Sequence, residues 1–396
     1  MRLLIVGGGT GGHIYPALAV ARSLQARPDA PSLRWVGGHR GLEAQVIAAT
    51  EIPFRRLLLR SLRSVDLDFH VVLDPIRLSL SVPQAMAMMI LRRPGAIFTT
   101  GGYVALPVLL AAAALQVPVV MWDGNVVPGR SVRVTARLAG CLAVAFESTC
   151  RTLGRRRRPC FVTGTPIRDP RGVSRADARK ALGIPARDRL VLIFGGSQAV
   201  RRFNSAVAEA LPRLVERARV IHITGDAGFE EAVAGRDALP PGLQDRYRPE
   251  KYLEDGMTLA LSAADMVVGR AGSSTLAEAA AFGLPMVVVP YPHAAGHQRR
   301  NADELVRAGA ARLVEDEDFD AQALLTAAAI LDNRKEHAAM AAAARSLARP
   351  GAADAVAELV MAAAKGQPFP DAKHLEAVSR GVAEGAAGGA AEGAAG

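Results

Sequence analysis

The chain has 396 residues, more than one hydrophobic core usually organises, so its length favours two domains. Half of the residues are apolar and 22% are charged, a balance that excludes extensive disorder and restricts it to local segments. The 48 Lys and Arg against 38 Asp and Glu leave a formal charge of +10. This charge indicates an anionic partner without choosing among phosphate, nucleic acid and an acidic membrane surface.

Neither export nor a membrane span is predicted. The apolar run before the first glycine is too short for a signal peptide. The most apolar later segment, 104–122, is interrupted by two prolines and is predicted to be a buried helix followed by a buried strand. Cys141, Cys150 and Cys160 are odd in number and form no CxxC pair, which argues against a disulfide framework and a zinc site and favours a reducing cytosol.

Short apolar runs bounded by glycine alternate with longer segments rich in Ala and Leu, the pattern of parallel strands joined by crossover helices. The strands predicted for a first sheet are 3–6, 33–36, 97–99, 117–121, 142–145 and 160–163. After a charged, loop-like segment the pattern restarts, and the strands predicted for a second sheet are 189–194, 220–224, 266–269, 286–290 and 311–314. Two similar α/β halves are therefore expected.

A glycine-rich loop follows the first predicted strand. It reads Gly-Gly-Gly-Thr-Gly-Gly-His over residues 7–13, and Pro16 is predicted to open the next helix. Such loops favour phosphate, because helix N-termini offer unpaired N–H groups. The glycine spacing matches GxGxxG, but no acidic residue directly follows the second strand at Val36, as a dinucleotide site requires. A tight turn without a ligand is the alternative.

Two further loops share this strand-loop-helix context in the second half. Ser197 follows two glycines and can donate a hydrogen bond to a diphosphate oxygen. Arg270 and the hydroxyl residues 273–275 follow the strand at 266–269, near another helix N-terminus. One turn later, Glu278 can accept bonds from two ribose hydroxyls, although a solvated surface Glu is the alternative there.

Five motifs in this order resemble the MurG family, within glycosyltransferase family 28. They are GGGTGGHIYPALAVA at 7–21, GGYVALP at 101–107, GTPIR at 164–168, FGGSQ at 194–198 and the segment 270–301. The resemblance covers roughly residues 1–365, and the ordered series is much more specific than any single motif.

This resemblance implies a GT-B fold, with two Rossmann-like doubly wound parallel-sheet domains facing a cleft. The implied acceptor- and membrane-binding domain is 1–164, together with a returning helix at about 351–366, and the implied UDP-GlcNAc-binding domain is 165–350. Residues 367–396 are expected to be a disordered tail, because the end of the chain is almost entirely Gly, Ala and Glu.

The family transfers N-acetylglucosamine from UDP-GlcNAc to the muramyl 4-hydroxyl of undecaprenyl-linked lipid I, giving lipid II for peptidoglycan synthesis. By the matching motifs, Glu278 would hold the ribose, Leu253 would lie against the uracil and Gln298 would bind sugar hydroxyls. The residues that the resemblance and the loops together place at the substrates are Thr10, Gly11, Gly12, Asn125, Arg168, Ser197, Leu253, Arg270, Ser273, Ser274, Thr275, Glu278, His297, Gln298 and Asn301.

His13 is the predicted general base, because an imidazole titrates near neutral pH and this one lies in the first glycine loop. A purely structural role, ordering the loop through a hydrogen bond, is the alternative. The charge on the departing UDP is expected to meet a helix dipole, Arg168 and Arg270 rather than a metal. No cofactor and no metal site are predicted, since the Asp66-Leu67-Asp68 triplet does not follow an apolar strand.

The segment 71–93 mixes apolar residues with Arg77, Arg92 and Arg93. The resemblance implies that this region docks, as part of a peripheral protein, on the anionic cytoplasmic face of the bacterial cell membrane. An ordinary core helix would show the same periodicity. Nucleic acid is not a predicted partner, because no aromatic stacking set accompanies the positive charge.

The chain departs from the family pattern at residues 122–124, and two alternative functions stay open. The family commonly carries His-Glu-Gln-Asn where this chain has Trp122-Asp123-Gly124-Asn125, so only the Asn is kept. The alternative functions are a UDP-GlcNAc epimerase of related fold and a non-catalytic, membrane-bound subunit that binds a nucleotide sugar.

Overall fold

A computed structural model describes residues 1–38, 42–59, 70–153, 158–195, 201–253, 256–292 and 296–382. The chain forms two compact units. Unit 1 comprises Met1–Gly124, Pro128–Ile167 and Arg349–Gly396, and unit 2 comprises Asn125–Val127 and Arg168–Ala348. Each unit is built on one parallel sheet with helices on both faces, which confirms the predicted α/β class with two doubly wound sheets.

The part of unit 1 that precedes unit 2's main segment alternates strands and helices up to Ile167. Its strands are β1 (Arg2–Val6), β2 (Ser32–Gly37), β3 (Phe54–Arg56), β4 (Ala96–Thr99), β5 (Val119–Asp123), β6 (Cys141–Val144) and β7 (Cys160–Val162). Its helices in this part are α1 (Gly11–Gln25), α2 (Leu42–Ala48), α3 (His70–Leu91), α4 (Ala105–Ala114), α5 (Arg130–Thr135) and α6 (Glu147–Leu153).

The sheet of unit 1 has the order β3-β2-β1-β4-β5-β6-β7, with every neighbouring pair parallel. Val6 at the end of β1 pairs with Val36 on β2 and Thr99 on β4. The loops that follow these three strands therefore leave from one edge of the sheet. Six of the seven strands lie where the sequence predicts them, and β3 is absent from the predicted set.

Unit 2 repeats the design. Its strands are β8 (Leu190–Phe194), β9 (Arg219–Ile223), β10 (Tyr247–Glu250), β11 (Met266–Gly269), β12 (Met286–Val288) and β13 (Ala311–Leu313). Its helices are α7 (Arg175–Ala181), α8 (Arg201–Arg217), α9 (Asp226–Asp237), α10 (Pro241–Gln244), α11 (Met257–Ala263), α12 (Ser273–Ala281), α13 (His297–Arg307), α14 (Ala321–Ala328) and α15 (Arg334–Ser346).

The sheet of unit 2 has the order β10-β9-β8-β11-β12-β13 and is also parallel throughout. Gly269 at the end of β11 pairs with Phe194 on β8 and with Val288 on β12. The loops after these strands thus begin side by side at the carboxyl edge, where ligands bind in open α/β sheets. Only β10 is missing from the predicted strands of this unit.

Successive residues of the central strands enter opposite cores, as the two-residue repeat of a strand requires. In unit 1, Leu3 and Ile5 pack on the face covered by α1, whereas Leu4 and Val6 pack on the face covered by α3 and α4. The core of unit 2 is divided in the same way by β8. Burial on both faces explains why these strands read as continuous apolar runs.

Two helices close the chain, α16 (Ala352–Lys365) and α17 (Ala372–Arg380), and both belong to unit 1. The helix implied at about 351–366 coincides with α16, whose Val356 and Leu359 join the core beside α1. The expected disordered tail is wrong for residues 367–382. Leu375 of α17 is buried in that core, which supplies the apolar contact that the composition of the end of the chain does not reveal.

The cysteine expectation also needs correction. Cys150 and Cys160 form a disulfide, whereas Cys141 remains a buried thiol whose pKa is raised to about 12 by burial. The Cα atoms of the bonded pair are 5.7 Å apart, a normal separation for a disulfide, because α6 and β7 bring them together. Counting cysteines along the sequence does not detect this proximity.

Candidate functional site

His13 is held in a fixed orientation at the carboxyl edge of the first sheet. Helix α1 begins at Gly11, so His13 lies in its first turn and Pro16 lies inside the helix rather than opening it as predicted. Nδ1 of His13 is 2.7 Å from the carbonyl oxygen of Thr100. A carbonyl oxygen only accepts, so Nδ1 donates, and in the neutral ring the lone pair is on Nε2. A ring oriented in this way is suited to accept a proton through Nε2.

The first glycine loop is braced by a residue that the sequence prediction omits. Glu43, at the start of α2, is fully buried, and its carboxylate accepts hydrogen bonds from the amides of Gly9 at 3.1 Å and Gly38 at 3.0 Å. A carboxylate of the protein therefore already uses one backbone donor of this loop, the amide of Gly9. The residues of this loop that are predicted to contact UDP-GlcNAc are Thr10, which directly precedes α1, and Gly11 and Gly12, which begin that helix.

The loop after β11 has a different character. Helix α12 begins at Ser273 directly after Gly272, so its first N–H groups are available to an anion, as at other helix N-termini. The hydroxyl oxygen of Ser274 is buried and has no hydrogen-bond partner among the described residues. Nδ1 of His297, at the start of α13, is in the same situation within that part of the chain. Buried polar atoms in this state need a bound partner, such as a ligand or water.

Glu278 lies one turn into α12 and is partly buried. Burial raises the pKa of its carboxyl to about 7, and the positive charge of Arg168 opposes that rise. Glu278 and Arg168, both predicted to bind the UDP-GlcNAc donor, are therefore near enough for their opposite charges to interact. A carboxyl that changes charge near neutral pH at the edge of a sheet is typical of functional sites.

Arg270 is buried and engaged by its own unit. Its guanidinium donates to Asp316 and to the carbonyl oxygen of Val289. It also lies 4.9 Å from the ring centroid of Phe203 and 5.4 Å from that of Tyr291. Asp316 also forms a salt bridge with Arg202, at the start of α8. Arg270 thus ties together the segments that follow β8, β11, β12 and β13, whereas its predicted contact with the diphosphate stays a prediction.

The remaining predicted residues of unit 2 are fixed by amide hydrogen bonds and packing. Asn301 on α13 is fully buried, donates to the side-chain oxygen of Asn125 at 3.2 Å and accepts from the amide of Val126 at 3.0 Å. Gln298 accepts from the amide of Tyr291 at 2.9 Å, which links α13 to the segment that follows β12. Leu253 packs against the core of the unit.

Several predicted features lie outside the described residues, namely Ser197 with its neighbours 196–200 and the Asp66-Leu67-Asp68 triplet. Within the described ranges, no group of three or more His, Cys, Asp and Glu side chains is arranged to hold a metal ion. In the same part of the chain, no helix is both long and apolar enough to span a bilayer.

Comparison with known proteins identifies the family. The N-terminal domain of glycosyltransferase family 28 matches residues 3–144, and the C-terminal domain of that family matches residues 190–359. A relative from Desulforamulus reducens, named UDP-N-acetylglucosamine–N-acetylmuramyl-(pentapeptide) pyrophosphoryl-undecaprenol N-acetylglucosamine transferase, is 36% identical over 89% of this chain and 96% of its own length. The chain belongs to the MurG family.

Solved structures agree with this assignment. The crystal structure of MurG from Acinetobacter baumannii matches with a TM-score of 0.71 and 28% identity, covering 91% of this chain and 99% of that one. A Listeria monocytogenes structure described as a UDP-N-acetylglucosamine 2-epimerase matches with a TM-score of 0.66 at 15% identity, covering 93% and 98%. At that identity the likeness shows the fold alone, so the epimerase alternative gains no separate support from it.

The departure at Trp122 from the MurG pattern has a structural explanation. Trp122 lies in the core of unit 1, and its indole N–H donates to the carbonyl oxygen of Gly164 at 2.9 Å. An indole in this position fills volume and satisfies a buried acceptor. The retained Asn125 makes the side-chain contact with Asn301.

Sequence reasoning missed Glu43 and Asp316, which hold the first glycine loop and Arg270 respectively. Both are acidic residues shortly after a strand of their sheet, and that position is the only sequence signal that could have indicated them. Neither belongs to a motif, because each acts through a loop that follows another strand.

Proposed function

We propose that this chain transfers N-acetylglucosamine from UDP-GlcNAc to the muramyl 4-hydroxyl of undecaprenyl-linked lipid I, producing lipid II and UDP. The observation that carries the proposal is the similarity of both domains, over about nine-tenths of the chain, to N-acetylglucosamine transferases of that specificity. The oriented imidazole in unit 1 and the helix N-terminus with its acidic neighbour in unit 2 support the same chemistry.

The chemistry assigns one task to each unit. Nε2 of His13 takes the proton of the 4-hydroxyl, and the hydroxyl oxygen forms a bond to the anomeric carbon of GlcNAc from the face opposite to UDP. The bond between that carbon and the phosphate oxygen breaks, and its electron pair leaves with UDP, so the anomeric configuration inverts. Arg168 and the N-terminus of α12 stabilise the charge on the departing diphosphate. Glu278 accepts hydrogen bonds from the ribose hydroxyls.

The transfer assay uses UDP-GlcNAc with a labelled sugar, with and without a lipid I analogue. We expect a lipid-linked disaccharide and an equal amount of UDP only when the acceptor is present. An isomerised or free sugar formed without acceptor would instead identify the epimerase alternative. Donor binding without turnover under both conditions would identify the non-catalytic subunit.

We also propose that unit 1 docks peripherally on the anionic cytoplasmic face of the membrane. The end of α3 exposes Ile90 and Leu91, with Arg92 and Arg93 directly after them. A groove of about 130 Å³ beside them is lined in part by Arg2, Arg34 and Arg92 together with Met88 and Met89.

The positive charges of the arginines in this groove repel one another. Burial and the charges of Arg92, Arg55 and Arg2 lower the pKa of Arg34, and no carboxylate of the described residues pairs with Arg2, Arg34 or Arg92. Uncompensated cations beside exposed aliphatic side chains favour anionic headgroups, with the apolar residues entering the interface.

Vesicle sedimentation tests this docking. The wild-type chain should bind phosphatidylglycerol vesicles more strongly than phosphatidylcholine vesicles, and the preference should weaken with added salt. The double variant Arg92→Glu and Arg93→Glu should lose most of the preference. The matched control, Arg213→Glu with Lys335→Glu, makes the same change in charge at exposed sites of unit 2 and should keep it. Equal losses in the two variants would contradict a docking surface at α3.

A further inference from the structure

Glu43 is a buried carboxylate that joins two loops of unit 1. Its side chain is 0% exposed, and it accepts from the amide of Gly9 after β1 and from the amide of Gly38 after β2. Ionised groups enter a protein interior at a high cost unless they are well hydrogen-bonded. The two amide contacts offset that cost and, in return, fix the backbone of both loops.

Tyr103 adds a third loop to this arrangement. Its hydroxyl donates to Glu43 at 3.4 Å, and burial together with the charge of Glu43 raises the pKa of the phenol. The surrounding packing is too tight for side chains at the glycines. A Cβ atom added at Gly38 would lie 2.1 Å from the Tyr103 hydroxyl oxygen, and one at Gly8 would lie 2.7 Å from a carboxylate oxygen of Glu43. Gly8 therefore permits the close approach of the carboxylate, and Gly38 permits that of the Tyr103 hydroxyl.

The loop that contains Tyr103 also holds His13. Thr100 accepts the Nδ1–H of His13 through its carbonyl oxygen at 2.7 Å and donates its hydroxyl hydrogen to the His13 carbonyl oxygen at 2.9 Å. A continuous series of contacts thus runs from Glu43, through Gly9 on one side and Tyr103 on the other, to the first turn of α1.

We propose that Glu43 is a positioning residue for His13, and this inference rests on the proposed transferase function. Its carboxylate accepts from the Gly9 amide in the first glycine loop and thereby holds the imidazole at the orientation that proton transfer requires. Small misplacements of a catalytic group reduce turnover strongly, because the reacting atoms must approach within a narrow range of distances. Glu43 touches no substrate and acts entirely through the loop.

The test combines Glu43→Gln with His13→Ala in a double-mutant cycle. Glutamine keeps the size of the side chain, but its amide group turns a donor toward backbone N–H groups that also donate. In the wild-type background, Glu43→Gln should lower kcat by roughly 10–100-fold and leave UDP-GlcNAc affinity within about twofold. In the His13→Ala background the same change should cause no further loss of kcat, because groups that act as a unit are non-additive.

Matched variants keep the test decisive. Glu51→Gln removes the same charge from an exposed site soon after α2 and should behave as the wild type. If Glu43→Gln does not fold, Tyr103→Phe keeps the ring and removes only the hydroxyl contact, and its smaller loss of kcat should also vanish in the His13→Ala background. An equal loss in both backgrounds, or an unchanged kcat in Glu43→Gln, would overturn the positioning role. Absence of transfer by the wild type would overturn the proposed function instead.

Discussion

Two loops of this protein share a sequence pattern and differ in electrostatics. Both follow a buried parallel strand and lead into a helix, one from β1 to α1 and the other from β11 to α12. At the first loop, the Glu43 carboxylate already accepts from the Gly9 amide. At the second loop, the Ser274 hydroxyl is buried without a partner among the described residues. A glycine-rich turn before a helix therefore does not by itself predict a phosphate site, because a nearby acid can use one of its amides.

The largest effect should separate the chemical role of the first loop from the binding role of the second. His13→Ala removes the proposed base, so we expect kcat to fall by about 10²–10⁴-fold. UDP-GlcNAc affinity should change little, since most of the predicted donor contacts belong to unit 2 and His13 is not among them. Single-turnover kinetics and equilibrium donor binding measure the two quantities separately. A variant with normal turnover would limit His13 to ordering its loop.

Glu278→Ala should show the opposite division. If Glu278 accepts from the ribose hydroxyls as proposed, loss of its carboxylate should weaken UDP-GlcNAc binding by about 10–100-fold. The 2′-deoxy analogue already lacks one of those hydroxyls, so its affinity should fall much less. Calorimetric titration of both ligands against wild type and variant provides the comparison. Equal losses for the two ligands would remove Glu278 from ribose recognition.

The sequence predicts most of the fold because the central strands are buried on both faces and carry unbroken apolar runs. The two missed strands lie at sheet edges. β3 is Phe-Arg-Arg and β10 is Tyr-Arg-Pro-Glu, and each pairs with a single neighbour. An edge strand tolerates polar residues and proline, so its sequence lacks the strand signal.

Sequence motifs point to candidate site residues but not to the residues that support them. The positive charge of Arg168 acts on the carboxyl of Glu278, and both residues are predicted from motifs to bind the UDP-GlcNAc donor. Glu43 contacts Gly9, 34 residues away, and Asp316 contacts Arg270, 46 residues away. Such pairs form only when loops from different strands meet at one sheet edge, and no spacing rule within a single segment encodes that meeting.

A smaller effect concerns the pH dependence of stability in unit 2. The pKa of Glu278 rises from 4.5 to about 7 on folding, so the folded state binds more protons than the unfolded state between these values. The contribution of Glu278 to the free energy of unfolding is therefore fully present below pH 4.5 and is lost as the pH rises through 7. Discounting for solvent screening, we expect a loss of about 1–2 kcal/mol.

Glu278→Gln does not titrate and provides the reference for this measurement. The thermal midpoint of the wild type, relative to that of the variant, should decrease as the pH is raised from 5 to 8. Calorimetry at several pH values measures the difference and cancels the titration of other groups. Parallel pH curves would show that burial does not perturb this carboxyl.

The smallest effects compare glycines of the two loops directly. Gly9 has a φ of +93°, and an added Cβ would lie 3.2 Å from the ring of Tyr103, so Gly9→Ala should destabilise unit 1 by about 1 kcal/mol. Gly272 has a φ of −69°, and a Cβ added there would lie 3.8 Å from its nearest neighbour, the Thr275 hydroxyl oxygen. Gly272→Ala should therefore stay within about 0.5 kcal/mol of the wild type. Denaturant unfolding of both variants measures the difference, and similar values for the two would show that the first loop is no more constrained than the second.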